Sequence, residues 1–66
     1  MTTEERQQNL RNLINAATAT LGYIDLIQNP EPGKQIDRDE CLGKAHVHAE
    51  RALRQAQELL SDALGH

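Results

Sequence analysis

The chain has 66 residues with 7 Lys/Arg against 10 Asp/Glu, a net charge of −3, and neither Trp nor Phe. That length fits one small domain, the single cysteine, Cys41, excludes an internal disulfide, and no apolar run approaches the roughly 18 residues of a membrane span. The acidic balance disfavours a nucleic-acid or anionic-membrane partner, and the opening Met1-Thr2-Thr3-Glu4-Glu5 is acidic where a signal peptide is basic and then apolar, so a cytoplasmic chain is expected.

Thr2 followed by Glu5 has the spacing of a capping box, in which a hydroxyl and a carboxylate each satisfy an orphan backbone N–H. It predicts a first helix over residues 3–28. Leu10, Leu13, Ala17, Thr20, Ile24 and Ile27 follow heptad a/d spacing there, flanked by Ile14 and Leu21. A second stripe, Ala16, Ala19, Tyr23 and Leu26, is predicted to point away from the first.

Asn29-Pro30-Glu31-Pro32-Gly33 holds both prolines and is the strongest turn signal in the chain. It opens a loop over 29–37. Asp37 and Glu40 repeat the capping spacing, with Ile36 placed to pack on Cys41 as a hydrophobic staple, and they start a second helix predicted over 38–64. Its a/d set is Leu42, Ala45, Ala49, Ala52, Ala56, Leu59 and Ala63, with Leu53 and Leu60 beside it. Gly65 suits a left-handed C-terminal cap.

No segment alternates at period two, so the fold class is all-α: an antiparallel two-helix hairpin forming one domain over residues 1–66. Folding about the loop pairs residues whose numbers sum to about 65, so that large side chains meet small ones, Leu13 near Ala52 and Leu10 near Ala56. A pair of helices cannot cover all its apolar surface, and chains this short need staples, metals or association to be stable. Self-association as a homodimeric four-helix bundle is the expected solution. The expected partner or dimer interface is Ala16, Ala19, Tyr23, Leu26, Leu53, Leu60 and Leu64, with Tyr23, the only aromatic residue of the Phe/Trp/Tyr class, as anchor.

Chemistry finds little support. Cys41, His46 and His48 have metal-ligand side chains, but their spacing does not converge on one helix face, and His66 lies past the predicted cap. No metal or cofactor is expected; the histidines fall at the edges of the helix seam, where protonation adds charge. The carboxylates Glu4, Glu5, Asp37, Asp39 and Glu40 sit at helix starts, where the macrodipole explains them. No Ser/His/Asp spacing and no Gly-rich phosphate loop occurs, so no catalytic residue is assigned and no enzyme is expected. Lys44, Arg51 and Arg54 form a basic strip that Glu50 and Glu58 interrupt, without aromatic residues for base stacking. A nucleic-acid-binding hairpin dimer, or a metal-responsive small regulator, is the alternative to a protein-binding one.

Leu21-Gly22-Tyr23-Ile24-Asp25-Leu26-Ile27 is similar to the end of the first helix in the dimerisation and phosphotransfer hairpin of sensor histidine kinases. Ala49-Glu50-Arg51-Ala52-Leu53 and Glu58-Leu59-Leu60-Ser61-Asp62-Ala63-Leu64 resemble that hairpin's second helix. The family's phosphoaccepting His and the acidic residue after it correspond to Arg11 and Asn12 here. The resemblance therefore implies a dimeric bundle without phosphotransfer, as a scaffold or a decoy. In design, the hairpin also resembles small RNA-binding helical-hairpin dimers. The expected function is non-catalytic: a small regulator, adaptor or inhibitor that binds a protein partner by helix packing.

Overall fold

A side-chain oxygen starts each helix by taking an orphan backbone N–H. In the computed structural model, which describes residues 1–65, Thr2 Oγ1 accepts from the Glu5 N–H at 3.1 Å, and α1 runs Thr3–Gln28. Asp37 Oδ1 accepts from the Glu40 N–H at 3.1 Å, and α2 runs Arg38–Leu64. Ile36 and Cys41, the expected staple, are both half-buried. His66, considered above as a ligand, lies outside the described residues.

The loop is built by its prolines. The Asn29 N–H still reaches Asp25 O at 2.7 Å, but Asn29 itself leaves the helix, as a residue before proline must. Glu31-Pro32-Gly33-Lys34 then turns the chain. Proline holds the second position, Gly33 takes φ +83° at the third, and the Lys34 N–H returns to Glu31 O at 3.2 Å. Gly65 departs from expectation. It stays right-handed at φ −76°, because its N–H simply extends the helical ladder to Ser61 O at 2.8 Å.

The two helices pack along their length into a rod of 52 × 17 × 13 Å, with a radius of gyration of 15.1 Å against roughly 11 Å for a globular chain of this size. Long-range contacts set the register. Arg6 Nη2 bonds Asp62 Oδ2 at 3.0 Å, and Lys44 Nζ lies 5.8 Å from the centroid of the Tyr23 ring. Residues at one level therefore have numbers that add to about 68 rather than 65, the Arg6–Asp62 pair setting the value.

The seam follows that register. On α1 it is Asn9, Leu13, Ala16, Thr20, Tyr23 and Ile27; on α2 it is Cys41, Ala45, His48, Ala52, Gln55, Leu59 and Asp62, all buried or half-buried. Both sets keep strict four–three spacing. This corrects the predicted seam by one position at alternate contacts. Leu10 and Ala17 give way to Asn9 and Ala16, and Leu42, Ala49 and Ala63 give way to Cys41, His48 and Asp62, while the expected Ile24 and Ala56 stay half-buried beside Tyr23 and Gln55. Small side chains at the contact let the helices approach closely, so the interior consists of Ala16 and Ala45 alone among the described residues, each 6% exposed. Leu13, Ile27 and Leu59 are half-buried along the seam, while Leu10, Ile14, Leu21, Leu42, Leu53 and Leu60 are left exposed.

Candidate interaction surface

Successive helical residues step by about 100° around the axis. α1 and α2 run in opposite directions, so the positions that follow the seam residues swing to the same side of the hairpin on both helices. On α1 these are Leu10, Ile14, Ala17, Leu21 and Ile24; on α2 they are Leu42, His46, Ala49, Leu53, Ala56 and Leu60. One broad side of the rod is thereby apolar, with Ile14 61%, Leu21 67%, Leu53 59% and Leu60 59% exposed. Among the described residues its one titratable group is His46, whose Nε2 lies against the Glu50 carboxylate at the edge.

The positions that precede the seam fall on the opposite side. There α1 places Gln8, Asn12, Asn15, Ala19, Gly22 and Leu26, and α2 places Glu40, Lys44, Val47, Arg51, Arg54, Glu58 and Ser61. This side is polar. The expected basic strip Lys44, Arg51 and Arg54 does share it, though Lys44 is tied to Glu40 Oε1 at 3.0 Å. That bond, then the charge of Glu40, raises the Lys44 pKa above its ordinary value.

Of the expected interface residues, Leu53 and Leu60 stand on the exposed apolar side, and Leu64 is exposed at its end. Leu26 is exposed on the polar side. Ala16 and Tyr23 are corrected: Ala16 is buried between the helices and Tyr23 is half-buried there, while Ala19, which precedes the seam residue Thr20, is half-buried on the polar side. Tyr23 is engaged within the chain, its ring stacked on His48 at 5.7 Å between centroids and 13° between planes. The physical reason is rotational. The apolar arc of α1 is wider than one seam, and the close approach of small residues turns Ala16 and Tyr23 inward while Leu10, Ile14 and Leu21 turn out. The signal that finds those three is the polar character of Asn9, Gln55 and Asp62, which fill the seam at the matching register.

The potential ligands separate. His46 pairs with Glu50, His48 stacks on Tyr23, and Cys41 is a free half-buried thiol. No group of three metal-type side chains converges among the described residues. None of the helices among them is long and apolar enough to cross a membrane. At the open end, Asp62 receives Arg6 at 3.0 Å and the Met1 ammonium at 3.3 Å. The Arg6 hydrogen bond holds the Asp62 carboxyl below its ordinary pKa. No protein-family model, curated protein or solved structure matches this chain.

Proposed function

We propose that this chain is a non-enzymatic protein-binding module, a small regulator or adaptor that acts by helix-on-helix burial and associates with itself as a homodimeric four-helix bundle. One observation carries the reading: an interior of two alanines beside a continuous exposed face of Leu and Ile. The accessible surface is 5235 Å², where a compact monomer of 7.4 kDa exposes roughly 4200 Å². The excess of about 1000 Å² matches the roughly 800 Å² that each partner contributes to a standard protein–protein interface. Among the described residues no charged one stands at the centre of that face, a depletion typical of interface centres.

A partner protein with an amphipathic helix meets the same need as a second copy, so the two compete for one surface. Regulation by exchange follows: the free dimer conceals the face that a partner requires. The likeness to kinase dimerisation hairpins fits this reading as a scaffold or decoy, with Arg11 in place of a phosphoacceptor. Sedimentation equilibrium from low micromolar concentration upward tests the proposal. The expected result is a mass of two chains that dissociates on dilution with loss of helical circular dichroism. A single chain, fully helical at every concentration, refutes it.

A further inference from the structure

We infer that the second copy sits on the apolar face with its loop at the opposite end of the bundle, an arrangement that rests on the homodimer proposed above. Two-fold symmetry leaves two ways to press two such faces together. If the axis runs along the bundle, both loops share one end and every level meets itself. If the axis crosses the bundle, the loops lie at opposite ends and each level meets its mirror about the midpoint.

The stripe has a common midpoint. On α1, Leu10 and Ile24 flank Ala17; on α2, Leu42 and Leu60 flank residue 51. Residues 17 and 51 stand at the same level in the register that Arg6 and Asp62 fix. One crossing axis therefore maps both stripes onto themselves.

Size complementarity then separates the alternatives. With the loops together, Ile14 and Leu53 of both copies crowd one layer, and the next contains only Ala17 and Ala49 from each copy. Four large groups beside four alanines leave either strain or a void, and both are costly. With the loops apart, Leu53 meets Ala49 of the second copy, Ile14 meets its Leu21 and the two Ala17 residues meet each other, so neither central layer is built of large groups alone or of alanines alone. His46 then faces Ala56 of the second copy, whereas the shared-end bundle places both His46 residues at one level on its diagonal.

A loop-to-loop distance decides the matter. In a Cys41→Ser background, Lys34→Cys carries one nitroxide label per chain in an exposed turn, read by pulsed dipolar spectroscopy. The helices of 26 and 27 residues separate loops at opposite ends by roughly 40 Å or more, whereas loops at one end lie within roughly 25 Å. A single long distance in a two-chain species is expected. A short distance in a two-chain species overturns the arrangement and leaves the homodimer standing; a single-chain mass overturns both; several distances in a larger species overturn the arrangement. Should the labelled chain lose helicity, Ala17→Cys in the same background serves instead. Residue 17 lies on the crossing axis and oxidises to a disulfide between copies, while in the shared-end bundle the two α1 helices are diagonal and too far apart for that bond.

Discussion

Leu53→Ala tests the division between a small interior and a large unpartnered face. In the single chain Leu53 is 59% exposed, and alanine is the better helix former, so the substitution leaves the hairpin's own stability nearly untouched. Complete burial of a leucine contributes about 1.5–3 kcal/mol. The share still unrealised at Leu53 is about 1–2 kcal/mol, and a two-fold dimer contains it twice. Association should weaken by about 2–4 kcal/mol, a rise in Kd between roughly 30-fold and several hundred-fold. Sedimentation equilibrium at several loading concentrations measures it. Val47→Ala is the matched control, because Val47 is 52% exposed on the polar side and its loss should leave Kd unchanged. If both variants weaken association equally, or neither does, the assignment of the two sides is wrong.

Two further predictions concern the seam. Gln55 buries its side-chain oxygen without a hydrogen-bond partner, and an unsatisfied buried acceptor costs about 1–3 kcal/mol; Gln55→Leu should raise the melting temperature at fixed chain concentration, and a fall would show that the oxygen is satisfied. Asp62 has a depressed pKa in the fold because Arg6 and the N-terminus stabilise its charged form, so its contribution is full above the unfolded value near 3.9 and fades as pH drops through the lower folded value. Urea titrations at pH 7 and in that acid window should give Asp62→Asn a flatter pH dependence than the parent chain, and an identical slope would count against the ion pair.

The chain stop and start points were legible because they depend on local chemistry. Thr2 and Asp37 cap, Pro30 terminates, and Pro32-Gly33 turns, each through bonds within a few residues. The rotation of the helices was not legible. On α1 apolar residues occupy positions 10, 13, 14, 16, 17, 19 and 21, an arc wide enough to accept two neighbouring seams, and the abundant alanines of α2 fit either. The seam that forms holds Ala16 and Ala45 at its buried centre and, at its open end, joins Asp62 to Arg6, a residue distant in sequence. Periodicity records neither. A seam with larger residues at 9, 41 and 48 would have announced itself.

The stack of Tyr23 on His48 gives this molecule a built-in optical gauge. With no tryptophan in the chain, all near-ultraviolet emission comes from one phenol ring held at the join of the two rods. Any event that pries them apart, whether dilution, acid or an invading helix, registers as a change in that one signal without dye or tag.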